Sequence, residues 1–284
     1  MAGDERPVGM FDSGLGGLTV ARAVIDLLPQ EHLVYVGDTG RYPYGPRPLD
    51  EVAAYARQIS RLLVDEHDVK LLVVACNTAA AAALAELQAT MPVPVVGVIG
   101  PGVRASIEVS AGGRVGVIAT VGTVASGAYQ RAFAAAAAAT AAATVGRPGR
   151  PGVVLTCAAC PGFVEFVERG DVASDQVVVL AERLLAPVVE AKVDTLLLGC
   201  THYPYLARTI SDVVGREVVL VSSADETAFE VAGLLAGLGG RRAPGDRPPQ
   251  RRFLSSGPVA SFRDLGQALL GPEVETVEQL TWPA

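Results

Sequence analysis

The chain is short of aromatic residues, lysine and long apolar runs, and it carries no basic excess. Aromatic side chains make up 5% of its 284 residues, with a single tryptophan, and its lysines are Lys70 and Lys192. Lys and Arg total 23 against 30 Asp and Glu, a formal net charge of -7. Phosphate backbones demand a basic footprint, so nucleic acid is not expected as a partner. No apolar stretch free of Gly, Pro and charge reaches the roughly 18 to 20 residues that a membrane span needs. The nearest, Ala134 to Thr144, is almost all alanine and reads as a helix. The first seven residues lack the apolar centre of a secretory signal. The 4 cysteines therefore read as reduced thiols rather than a disulfide framework. A cytoplasmic location is expected, with no membrane association.

What the chain does have is apolar material, 50% of its residues. That is enough for a large core and for two compact units. Short β-branched runs alternate with longer amphipathic stretches, the pattern of an α/β fold with mainly parallel sheets. Strands are expected at Val8–Phe11, Leu33–Val36, Leu71–Ala75, Val95–Val98, Arg114–Ile118, Val153–Thr156, Thr195–Leu198, Glu217–Val221 and Arg251–Leu254. Helices are expected over Leu49–Asp65, Ser174–Ala191 and Asp225–Leu238. Proline and glycine mark Arg147–Gly152 as a loop and Gly239–Gln250 as a mobile connection.

Two of these strands run straight into a cysteine followed by small polar residues. Leu71 to Ala75 leads to Cys76-Asn77-Thr78, and Thr195 to Gly199 leads to Cys200-Thr201-His202. Free cysteine is often only a small buried hydrophobe. These two, however, stand at the expected start of a helix, where the backbone dipole favours thiolate. Ligands of open α/β sheets bind beyond the carboxyl ends of the strands, where both turns lie. Two similar units with those ends together would enclose a site in the cleft between them. A pair of thiols there can take a proton from one face of a carbon and return one to the other, which inverts a stereocentre.

Helpers stand nearby. His202 follows Cys200 by two residues and can orient or protonate it. Asp12, ending the first strand, can accept a substrate ammonium or act on Cys76; alternatively it caps the following helix. Glu168 is a possible helper or a solvated helix residue. The loop from Asp38 to Pro48, through Tyr44 and Gly45, either closes over a ligand or is a rigid turn. Gly14-Leu-Gly16-Gly17 with Asp38 also admits a dinucleotide-dependent oxidoreductase, although Thr19 breaks the fingerprint. A non-catalytic module binding an acidic ligand is a further alternative. Cys157-Ala-Ala-Cys160 can be a redox pair or half a zinc site, but no second pair of ligands completes one, so no metal is expected. A pyridoxal cofactor needs a lysine at the site. Lys70 and Lys192 each precede the strand that leads to a cysteine, at its far end, so no cofactor is expected.

The segments Phe11-Asp-Ser-Gly-Leu-Gly-Gly-Leu-Thr, Tyr35-Val-Gly-Asp-Thr, Pro43-Tyr-Gly-Pro, Ala75-Cys-Asn-Thr, Cys160-Pro-Gly-Phe-Val and Leu198-Gly-Cys-Thr-His-Tyr-Pro resemble the bacterial glutamate racemases of the aspartate/glutamate racemase family. The resemblance runs in order from Val8 to about Val277. It implies cofactor-independent interconversion of L- and D-glutamate, which supplies D-glutamate for peptidoglycan; aspartate or another acidic amino acid is the neighbouring alternative. By this match Cys76 takes the α-proton of D-glutamate and Cys200 that of L-glutamate, with Asp12, His202 and Glu168 assisting. Substrate contacts fall on Asp12, Ser13, Tyr44, Gly45, Asn77, Thr78, Thr201 and His202. The match also implies a homodimer and two domains, residues 1–98 with 207–284, and 99–206. The alanine tract with its Arg-Pro-Gly loop, and Gly162 with Glu165, depart from the family pattern.

Overall fold

A computed structural model describes residues 3–143, 152–243, 245 and 247–282. The chain divides into two compact units, one formed by Met1–Val98 with Ala224–Ala284 and the other by Ile99–Ser223.

The first unit begins with β1 (Val8–Asp12), α1 (Leu18–Leu27), β2 (Leu33–Gly37), α2 (Leu49–Asp65), β3 (Leu71–Val74), α3 (Asn77–Thr90) and β4 (Val95–Gly97). The second contains α4 (Ile99–Val109), β5 (Arg114–Ala119), α5 (Val121–Ala125), α6 (Ala128–Ala143), β6 (Val154–Ala159), α7 (Phe163–Glu168), α8 (Asp175–Glu190) and β7 (Thr195–Gly199). A 3₁₀ turn (Tyr203–Leu206), α9 (Ala207–Val214) and β8 (Val219–Ser222) complete it. The chain then returns through α10 (Ser223–Gly237), β9 (Arg251–Ser255), α11 (Val259–Leu270) and β10 (Val277–Gln279).

The first sheet has the order β10-β9-β2-β1-β3-β4 and the second β6-β5-β7-β8. Every strand pair described in either sheet is parallel. Such strands are covered by helices on both faces, so they read as unbroken apolar runs. β1, β2, β3 and β7 are buried at every position. The helices are one-sided by contrast: α2 buries Val52, Ala53, Ala56, Ile59 and Leu63, a stripe at helical spacing, and starts directly after Pro48.

The two sheets share a core topology. In chain order, β2-β1-β3-β4 and β6-β5-β7-β8 are both second-first-third-fourth, the flavodoxin-like order, whose switch point lies between the first and third strands. β3 and β7 are therefore equivalent strands, and each lies against the first strand of its unit.

Three expectations need correction. The return to the first unit falls after Ser223, not after residue 206, because β8 pairs with β7 through Thr195↔Val219 to Leu198↔Ser222 and so belongs to the second sheet. The stretch expected to be mobile, Gly239–Gln250, is anchored by the buried Arg242. Its guanidinium donates to Glu5 Oε2 at 2.7 Å and to the Gln30 carbonyl at 3.0 Å, and its backbone N–H to Glu31 Oε1 at 2.9 Å. No α-helix begins directly after Cys200; the 3₁₀ turn intervenes, with His202 at its start. The expected loop over Arg147–Gly152 lies outside the described residues, apart from Gly152 itself.

Candidate active site

At the switch point of the first unit, β1 ends at Asp12 and β3 delivers Cys76. The pairing Phe11↔Val74 continues as Asp12 beside Ala75 and Ser13 beside Cys76, and the Ala75 N–H donates to the Phe11 carbonyl at 2.9 Å. Cys76 is the N-cap of α3, with extended backbone, and it is buried together with Ser13, Asn77 and Thr78. Its thiol lies 3.7 Å from Ser13 Oγ as donor. Burial, and then the Asp12 carboxylate, push the Cys76 thiol well above the ordinary thiol range; the Ala79 amide and Ser13 act in the opposite sense.

Asp12 is itself buried and accepts from the Gly17 N–H at 2.6 Å; Gly17, not Asp12, is the N-cap of α1. Gly17 is required there: a Cβ would stand 2.6 Å from the Asp12 Cβ and 2.7 Å from the Tyr35 hydroxyl. The same geometry removes the dinucleotide reading. The Asp12 carboxylate occupies the Gly17 amide of the glycine turn with negative charge, where a pyrophosphate would need to bind. Asp38, the candidate ribose ligand, is fully buried and both of its oxygens are engaged. Oδ1 accepts from Ser256 Oγ at 2.6 Å and Trp282 Nε1 at 3.0 Å, and Oδ2 accepts from Arg41 Nε at 2.7 Å and the Tyr44 hydroxyl. The 38–48 loop is thus a tied turn carrying Tyr44, which is buried and within electrostatic reach of Cys76, and the half-buried Gly45.

In the second unit β7 delivers Cys200, with Thr201 and His202 buried beside it. His202 Nδ1 is 3.8 Å from the Cys200 sulfur, and its Nε2 is 2.8 Å from Glu168 Oε1. Glu168, at the end of α7, is therefore the outer member of a carboxylate–imidazole–thiol chain rather than a solvated helix residue. The left-handed Gly162 (φ 93°) opens α7, a conformation that favours glycine. The β5–β7 pairing runs to Ala119↔Gly199, and Thr120 and Cys200 each follow directly on these strands.

Sequence reasoning missed Thr120 and Tyr129. Tyr129 is buried, and burial, followed by Cys200 and Cys157, raises its hydroxyl above the ordinary range. The Thr120 signal was present: β5 ends in Ala119-Thr120 as β1 ends in Asp12-Ser13. Tyr129 gives none, since it sits in an alanine-rich helix.

Cys157 lies within β6 and Cys160 just past it, and both are free thiols. Burial pushes Cys157 up to about 11; burial, with Cys200 nearby, pushes Cys160 up to about 12. Reactive dithiols need the opposite shift and a helix start. Lys70 is tied at the far end of β3 by Glu31 Oε2 at 2.6 Å and the Gly240 carbonyl at 2.8 Å. No helix among the described residues is long and apolar enough to cross a membrane.

Comparison with known proteins places the chain in a family. The family model for Asp/Glu/hydantoin racemase matches residues 18–228. The chain belongs to that family, and it is an isomerase. Among its relatives, the glutamate racemase of Acidothermus cellulolyticus is 50% identical over 275 residues, 96% of this chain and 98% of that protein. The solved structure of glutamate racemase isoform RacE1 from Bacillus anthracis superposes with a TM-score of 0.87 at 37% identity, covering 99% of this chain and 98% of that one. Glutamate racemase from Francisella tularensis in complex with D-glutamate gives 0.86 at 30% identity, covering 98% of both chains.

Proposed function

We propose that this protein is a glutamate racemase that interconverts L- and D-glutamate without a cofactor, using Cys76 and Cys200 as its two acid–base groups. The observation that carries the reading is the equivalence of the two cysteine turns: each ends the third strand of a second-first-third-fourth sheet, and each has its own acid–base partner.

In the direction from L-glutamate, Cys200 acts as thiolate and takes the α-proton, while the neutral Cys76 thiol delivers a proton to the opposite face. The reverse direction exchanges the roles. One C–H bond breaks and one forms in each turnover; Cys200 gains a proton and Cys76 loses one, and proton exchange with solvent, through His202 and Asp12, returns the two sulfurs to their starting forms. His202 orients and protonates Cys200, held by Glu168. Asp12 does the corresponding work at Cys76 and receives the substrate ammonium. The reading requires both thiols to address one α-carbon.

Substrate carboxylates suit the backbone amides at the start of α3, supplemented by Ser13, Asn77, Thr78 and Thr201, with Tyr44 and Gly45 from the tied loop. Exclusion of water strengthens each of these contacts as charge develops at the α-carbon. D-glutamate for peptidoglycan is the product that such an enzyme supplies, in the cytoplasm and as a homodimer.

Racemisation assays with L-glutamate and L-aspartate, followed by chiral separation, test the reading. D-glutamate formation with little D-aspartate is the expected result. Turnover of aspartate in preference to glutamate moves the activity to the neighbouring substrate, and no turnover of either by folded protein overturns it.

A further inference from the structure

Asp38 is the best-connected carboxylate described in the first unit, and it holds no place in the proton-transfer scheme. It is 0% exposed and receives Ser256, Trp282, Arg41 and Tyr44 on its two oxygens. A buried carboxylate with donors on both oxygens has a fixed position, because each charge-assisted bond constrains it. Arg41 is fixed as well. Its guanidinium lies between two rings, 4.0 Å from the centroid of Tyr55 and 4.2 Å from that of Trp282, and its Nη1 donates to Gln58 Oε1 at 2.7 Å. Trp282 thus touches the hub twice, by an N–H on Asp38 Oδ1 and by a ring on Arg41. It lies beyond β10, 244 residues along the chain from Asp38. The Tyr44 hydroxyl on Oδ2 couples this hub to the segment within electrostatic reach of Cys76.

We propose that Trp282 is a positioning residue for substrate binding: through Asp38 and Arg41 it sets where Tyr44 and Gly45 stand. The inference rests on the reading of those two residues as substrate contacts. Tyr44 and Gly45 bind without moving a proton, so loosening the hub weakens binding and spares chemistry. Loss of the N–H alone removes one of four donors to Asp38. Loss of the whole side chain also exposes Arg41 on one face and frees the cation from its second ring.

The test compares wild type with Trp282→Phe and Trp282→Ala in the chiral assay, with folding checked by circular dichroism. KM for glutamate rises about tenfold in the alanine variant and about threefold in the phenylalanine variant, and kcat stays within about twofold of wild type. A lowered melting temperature with KM unchanged in both variants is a purely structural outcome and overturns the proposal, with wild-type turnover leaving the racemase reading intact. A wild type that does not interconvert glutamate removes the racemase reading and this inference with it. If neither variant folds, wild-type emission decides, because the chain has one Trp and its fluorescence reports this position alone. A change on D-glutamate addition that saturates near KM supports the proposal, and a flat response overturns it.

Discussion

The two cysteine turns occupy the same place in two sheets of the same order, yet their surroundings differ. Cys76 caps a helix of 14 residues and has a carboxylate as its charged neighbour. Cys200 precedes a 3₁₀ turn of 4 residues and has an imidazole–carboxylate pair. A shared topology thus supplies the position of the sulfur, and the residues around it supply its protonation. Burial and Asp12 raise the first sulfur above the ordinary thiol range, whereas the second has the His202 ring 3.8 Å away. Two bases of unlike surroundings suit a reaction in which one must be charged while the other is neutral.

Removing either sulfur tests that division most severely. Cys76→Ser and Cys200→Ser should each lower kcat/KM for glutamate by about 10³-fold or more, since a hydroxyl is a far weaker acid than a thiol and does not ionise near neutral pH. A variant retaining a tenth of wild-type activity would show that its turn is not part of the chemistry.

The partners come next. Asp12→Asn and His202→Asn should each cost about 10²-fold in kcat/KM. The equilibrium constant of a racemisation is one, so kcat/KM must fall equally in both directions; only the separate kcat and KM values can become unequal. Glu168→Gln keeps a hydrogen bond to His202 but removes its charge, and a loss of about tenfold is expected. A Glu168 effect as large as that of His202 would place the carboxylate nearer the chemistry than its single described bond to Nε2 suggests.

The pH dependence sharpens the same contrast. The fold raises the Cys76 thiol, so its contribution to stability is whole below the ordinary thiol value of about 8.5 and is lost as pH rises through the folded value. Alkylation of Cys76 by iodoacetamide should therefore begin at a higher pH than that of a peptide thiol, and urea midpoints should fall on the alkaline side. Cys76→Ser should flatten that alkaline fall. The smallest effect belongs to Cys157→Ser, at the half-buried thiol in β6, where activity should stay within about twofold of wild type and stability within about 1 kcal/mol.

Most of this was readable from local pattern, because a parallel strand buried on both faces is a short apolar run with nothing to mistake it for. Leu71–Val74 and Thr195–Gly199 announced both cysteines in this way, and Leu49–Asp65 appeared with its observed limits because Pro48 and a single apolar stripe define it. Apart from the 3₁₀ turn after Cys200 and the residues Thr120 and Tyr129, the misses were long-range. β10 is three residues at a sheet edge and exists through its pairing with β9. Arg242 looked like part of a loose connection, since its partners Glu5, Gln30 and Glu31 lie more than two hundred residues away. Asp38 read as a ribose ligand until Trp282 and Ser256 were found on it. Glu168 could not be joined to His202 from spacing alone, as 34 residues separate them.

The division of labour between the two sulfurs is tested most directly by following the α-hydrogen. L-glutamate is incubated with wild-type protein in D2O, and both enantiomers are separated and examined by NMR at early conversion. Two separate acid–base groups predict that each new D-glutamate molecule carries deuterium at the α-carbon while the remaining L-glutamate keeps its protium. Protium retained in the D product, or deuterium entering L-glutamate faster than D-glutamate forms, would mean that one group serves both faces and would contradict the account.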